Sequence, residues 1–149
     1  MAQKLNFDDG VLELEVNNNG ILRFNASDFN VYQRLCTLSK ELPILEEKYR
    51  SSMEAEKTAE ALEFAEKRLD CAKEIDAEIK RKLAFVFGEQ NDFDLLFNGC
   101  NLMAFGKNGE RVITNFLDAI LPYLEEGVKK HAMGSAAEAI AQAKKRRGE

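Results

Sequence analysis

The chain has 149 residues, 45% of them hydrophobic and 32% charged, and carries a formal net charge of −5. That length suits one domain with a core that needs no disulfide or metal staple. The acidic balance excludes a general attraction to nucleic acid or anionic membrane, and no apolar run reaches the roughly 20 residues of a membrane span.

The first residues, MAQKLNFDDG, lack the apolar core of a secretory signal. Residues 11–24 read VLELEVNNNGILRF. Leu12, Leu14 and Val16 alternate with Glu13 and Glu15, the period of a strand with one buried face. Asn19-Gly20 is expected to supply the positive-φ turn, and Ile21 to Phe24 the second strand. Two strands alone are marginal in water, so this hairpin must lean on helices or another chain.

Asn25, Ser27 and Asp28 offer helix-capping oxygens, after which Val31, Leu35 and Leu38 recur at helical spacing. Pro43 lacks an N–H and crowds the preceding turn, which predicts a break or kink near Glu41–Pro43. Ile44, Leu45 and Tyr49 are then a short continuation. From about Met53 to Phe87 the pattern predicts one long charged helix of about 50 Å at 1.5 Å per residue. Its apolar seam is Leu62, Ala65, Leu69, Ala72, Ile79, Leu83 and Val86. The early half is poor in large apolar residues, which suits solvent exposure or a partner helix, and so a homo-oligomer.

Residues 85–109, FVFGEQNDFDLLFNGCNLMAFGKNG, are punctuated by four glycines. Gly88 ends the long helix, Asp92 or Asn91 caps a short turn at Phe93–Phe97, and Asn98-Gly99 breaks the chain again. The last helix is predicted from about Arg111 to Lys130, bent at Pro122, with Val112, Ile113, Phe116, Leu117, Ile120, Leu124 and Val128 on one face. Residues 133–149 are Ala-rich and basic and are expected to fray. The fold class is therefore mainly α with a small N-terminal β-hairpin (α+β), a kinked helical bundle around one long central helix. Residues 1–132 form the domain and 133–149 a tail.

The glycines match neither GxxxxGK[ST] nor GxGxxG, and Gly106-Lys107 lacks the Ser/Thr that follows in a phosphate loop. His131 is the only histidine, with no nucleophile motif about it, and suits a helix C-terminus. Asp8-Asp9 and Asp92–Asp94 lack the fixed oxygen-ligand offsets of a calcium loop and read as turn and cap residues. Cys36, Cys71 and Cys100 form no CxxC pair, so no metal site or disulfide framework is expected. They read as buried small apolar residues in a reducing cytosol. No catalytic residue, cofactor or metal is nominated. Lys144, Lys145, Arg146 and Arg147 form a basic cluster that suits phosphates, yet a single cluster on an acidic chain is weak evidence for nucleic-acid binding. Of Phe85, Phe87, Phe93, Phe97 and Phe105, three are expected in the core. An apolar groove for a partner is placed at Phe93, Leu96, Phe97, Leu102 and Phe105.

Several stretches carry a resemblance: GILRFNASDFNVYQRL running from strand into helix, VFGE at Val86–Glu89, the DLLFNG turn, and ITNFLDAILPYLEE. From about Gly20 to Glu149 the chain resembles small tail-module proteins of phages of Gram-positive bacteria, read as tail assembly chaperones. Strand Val11–Val16 departs from that pattern. The resemblance implies a non-enzymatic protein of the bacterial host cytoplasm. It would bind the tape-measure protein, with the tail-tube protein as a second partner, and assist tail-tube assembly. Ala143-Lys144-Lys145 also suits a slippery codon run for a frameshifted longer form. The alternative function is a small acidic phage protein that inhibits a host defence or regulatory protein.

Overall fold

The computed structural model describes residues 1–54, 61–146 and 148, without the side chains of 61–64, 131–143 and 146. In chain order the elements are β1 (Leu12–Glu15), β2 (Ile21–Phe24), α1 (Phe29–Glu54), α2 (Ala61–Phe87), α3 (Phe93–Leu96) and α4 (Val112–Arg146).

β1 and β2 pair antiparallel with Leu12 opposite Phe24 and Leu14 opposite Leu22. The alternation works as the sequence implies: Leu22 and Phe24 are buried, Leu12 and Leu14 half-buried, and Glu13 and Glu15 exposed. The turn differs. Its positive-φ residues are Asn17 (48°) and Asn18 (61°), closed by an Asn19 N–H to Val16 C=O bond of 2.8 Å. Two successive left-handed residues give the mirror-image turn that fits strand twist. Asparagine tolerates that region, and this placement puts Leu22 in the core. Asn19 instead donates its side-chain amide to the Leu96 carbonyl at 2.9 Å, tying the turn to α3.

Asp28 caps α1 by accepting the Asn30 N–H at 2.9 Å. The predicted break at Pro43 is absent, and α1 runs 26 residues through it. Pro43 and Ser39 both lie exposed, so water reaches the carbonyl that the proline ring leaves without a helical partner. Met53 and Glu54 belong to the end of α1, not to the start of the long central helix. Residues 55–60 of the predicted long helix lie outside the described residues.

α1 and α2 lie antiparallel. Arg34 donates to the Phe85 carbonyl, Lys82 pairs with Glu41, and Arg68 donates to the Met53 carbonyl. Their shared seam is Val31, Leu35, Leu38 and Leu45 against Ile75, Ile79, Leu83 and Val86, all buried. Leu69 is 69% exposed and stands outside that seam.

α4 passes through Pro122, again on an exposed face, and continues past Met133-Gly134-Ser135 to Arg146. The basic end is thus part of α4 up to Arg146. Its alanines are strong helix formers, and one interior glycine costs only about 1 kcal/mol. His131 accordingly lies within α4 and not at its C-terminus. Gly127 is buried where α4 passes the turn between β2 and α1; a Cβ there would lie 2.1 Å from the Ala26 carbonyl oxygen.

A ring cluster joins these layers. Phe87 meets Phe24 edge-on at 5.1 Å and Phe116 edge-on at 6.0 Å, lies tilted to Phe93 at 6.0 Å, and Phe97 meets Phe116 edge-on at 5.1 Å. Edge-to-face pairs of this kind contribute about 0.5–1.5 kcal/mol each beyond area burial. Of the five phenylalanines in 85–109, three (Phe87, Phe93, Phe97) join this cluster, while Phe85 and Phe105 stay exposed.

Candidate functional site

The surface expected at Phe93, Leu96, Phe97, Leu102 and Phe105 is divided by the fold. Phe93 is 3%, Leu96 2% and Leu102 0% exposed, so these three are core side chains rather than a partner surface. The reason is local. Asp92 caps α3 by accepting the Leu95 N–H at 3.1 Å, which turns Phe93 and Leu96 inward and leaves Leu95 outside. Leu102 is drawn inward by its N–H, which donates to the Asp76 carboxylate at 2.8 Å. Phe97 is half-buried, and Phe105 is 66% exposed beneath the Arg111 guanidinium, 4.7 Å from its ring.

What remains open is a cleft of about 660 Å³ between β1 and the first three turns of α4. Leu14, Val16, Leu22, Phe97, Phe116 and Ile120 form its apolar floor, while Glu13, Glu15, Asn115 and Tyr123 stand at its rim. Sequence periodicity marked Phe116 and Ile120 as core but gave no sign of Asn115, Ala119 or Tyr123.

The cleft has a polar wall as well. Arg23 of β2 turns its backbone away from β1: its N–H donates to Asn91 Oδ1 at 2.8 Å, and its C=O accepts from Asn91 Nδ2 at 2.9 Å. In an antiparallel ladder the residue opposite also faces outward, so Glu13, paired with Arg23, presents its N–H and C=O at the free edge of β1. Glu15 does the same by the two-residue period. β2 is closed by Asn91; among the described residues, nothing pairs with the outward edge of β1 beside the cleft.

The segment between α3 and α4 is held firmly. Asp76 holds the Leu102 N–H with one oxygen and Lys80 with the other, 2.8 Å each, and Lys80 also reaches Asp94 at 2.8 Å. Burial alone would lower the Lys80 ammonium, but the bonds to Asp76 and Asp94 outweigh it and raise its pKa. Arg111 donates to the Met103 carbonyl at 2.7 Å and to Glu46 at 2.9 Å, and lies over the rings of Tyr49 and Phe105. The Gly106–Gly109 turn uses its own donors: Gly109 N–H bonds the Gly106 carbonyl and Gly106 N–H the Glu110 carbonyl. It is a tight connector into α4, as its sequence suggested.

Among the described residues, no three His, Cys, Asp or Glu side chains come together as a metal site, and no helix is long and apolar enough to cross a membrane. Cys36 is exposed and Cys71 and Cys100 half-buried, so none is the buried small residue expected. Lys144 and Lys145 are exposed near the end of α4, while the Arg146 side chain and Arg147 lie outside the described residues. Comparison with protein-family models, with curated proteins and with solved structures finds no match.

Proposed function

We propose that this protein is a binding module that shelters an apolar segment of a longer partner chain in the β1–α4 cleft. In its specific form it is a tail assembly chaperone of the bacterial host cytoplasm, keeping a tape-measure protein soluble while tail-tube subunits assemble. One observation carries the reading: a cleft of about 660 Å³ with an apolar floor lies beside a strand edge that is unpaired among the described residues. The floor offers area for apolar side chains and the edge offers backbone hydrogen bonds, the two terms on which peptide recognition rests. The −5 net charge favours a soluble complex once the client is bound.

The test is co-expression with the tape-measure protein of the same gene cluster, followed by size-exclusion chromatography with light scattering. Ala119→Arg and Tyr123→Asp fill or charge the cleft from exposed positions without entering the core. A soluble complex is expected with the natural sequence and its loss with both variants, at unchanged melting temperature. A tape measure that precipitates regardless, or a complex indifferent to both variants, would overturn the reading.

A further inference from the structure

The N-terminal arm and the β1 edge carry the two halves of one contact. Residues 1–10 contain no helix or strand and are exposed throughout. Leu5 is 84% and Phe7 76% exposed, a large apolar area to leave in water. Leu5 and Phe7 stand two apart with Asn6 between them and Lys4 before, the pattern of a strand with one apolar face. An open strand edge beside an apolar wall is a template for such a segment.

The arm's own body does not take it. Asn25, which follows β2, donates its amide to the Asp9 carbonyl at 2.8 Å. The Asp8 and Asp9 carboxylates accept from the Gly10 and Val11 N–H groups and stiffen the same joint. These bonds hold the root of the arm on the β2 side of the hairpin, away from the free edge of β1.

We propose that Gln3–Phe7 of a second copy of this chain lies along β1 as a third strand. Leu5 and Phe7 then rest against Phe116 and Ile120, and Lys4 stands beside Glu15. Five extended residues span about 17 Å, matching the roughly 16 Å of α4 from Val112 to Tyr123. The charges agree too: Glu15 has no partner among the described residues, and Lys4 carries the only basic side chain of the arm. Reciprocal exchange of two arms closes a two-fold dimer. The inference rests on the reading that the cleft receives an apolar segment, and adds that the arm occupies it while no client is present.

Sedimentation equilibrium of the full chain and two variants tests this. The natural chain is expected to dimerise, and the double variant Leu5→Asp/Phe7→Asp, altered only at exposed arm positions, to be monomeric with an unchanged melting temperature. Glu15→Pro removes one outward-facing N–H and is expected to weaken the dimer at least tenfold, since proline is tolerated on an open edge. A natural chain that stays monomeric at all concentrations, or a dimer that survives the double arm variant, would overturn it. Exchange-protected Glu13 and Glu15 amides in a monomer would also overturn it, by placing the arm on its own body. A dimer that needs the arm, with no tape-measure binding, sustains this inference and removes only the chaperone function.

Discussion

Asn91 stands beside Arg23 as a neighbouring strand would. Its side-chain amide accepts the Arg23 N–H and donates to the Arg23 carbonyl, 68 residues away in sequence. It is 5% exposed, and its nitrogen also reaches the Phe87 carbonyl at 3.1 Å. One side chain therefore ties the hairpin to the end of α2.

Asn91→Leu keeps the branched outline of the side chain, is somewhat larger, and removes every one of these bonds. Arg23 would keep an N–H and a carbonyl that lie against an apolar side chain, at about 1–3 kcal/mol for each buried unsatisfied group. The urea midpoint is expected to fall accordingly, and the Arg23 amide to exchange faster than the amides of α2. A midpoint within about 0.5 kcal/mol of the natural chain, the usual range for surface changes, would show that the clamp contributes little.

That clamp explains which parts of the fold were legible in the sequence. Leu12 and Leu14 against Glu13 and Glu15 announced a one-faced strand, and Val31, Leu35 and Leu38 a helix, because burial periodicity is local. All four residues of Asn17–Gly20 tolerate the left-handed region, so local sequence does not place the turn; the register that buries Leu22 does. Pro43 does not break α1 because it and Ser39 lie on the water-facing side, which local sequence does not reveal. A short apolar run between glycines reads alike in a core and in a groove, and the Asp92 cap and the Asp76 bond, not the run itself, bury Phe93, Leu96 and Leu102. The cleft depends on which edge of the hairpin Asn91 closes, a contact between distant segments that no periodicity encodes.

Gly127 and Ala26 supply a test in which two principles oppose each other. In an exposed helix interior, Gly→Ala stabilises by about 1 kcal/mol. Here the new methyl would stand 2.1 Å from a backbone oxygen, so α4 or the Ala26 loop must move. Gly127→Ala is expected to destabilise by about 1–3 kcal/mol, the range for an overpacked core, read as a lower thermal midpoint. A rise in the midpoint would mean that α4 does not approach the hairpin so closely.

Phe93 and Phe105 separate core from surface among the aromatic residues. Phe93→Asp places a carboxylate amid Phe87, Phe97 and Phe116, and burying an unpaired charge exceeds the usual 5–15 kcal/mol stability of a domain in the limit of no relaxation. That variant is expected to lose its near-ultraviolet circular dichroism. Phe105→Asp loses only a ring under Arg111 and is expected to stay folded within about 1 kcal/mol. Equal effects of the two substitutions would contradict the burial seen here.

Lys80 gives the fold a dependence on alkaline pH. Its ammonium is mostly buried and bonded to both Asp76 and Asp94, and its pKa is raised in the folded state even though burial works against it. A raised folded pKa means that the charged form is favoured by folding. The resulting stability is fully present below the unfolded lysine value of about 10.4 and is lost as pH climbs through the higher folded value. The difference in unfolding free energy between the natural chain and Lys80→Met should thus be constant from pH 7 to about 10 and shrink above that. Loss of Lys80 also leaves Asp76, still holding the Leu102 N–H, without its counter-charge, so the variant is expected to loosen the turn between α3 and α4 first. Faster exchange of the Leu102 amide in Lys80→Met, at a pH where the rest of α2 stays protected, is the signature. A difference that stays flat through pH 11.5, with unchanged Leu102 exchange, would assign Lys80 no part in holding that turn.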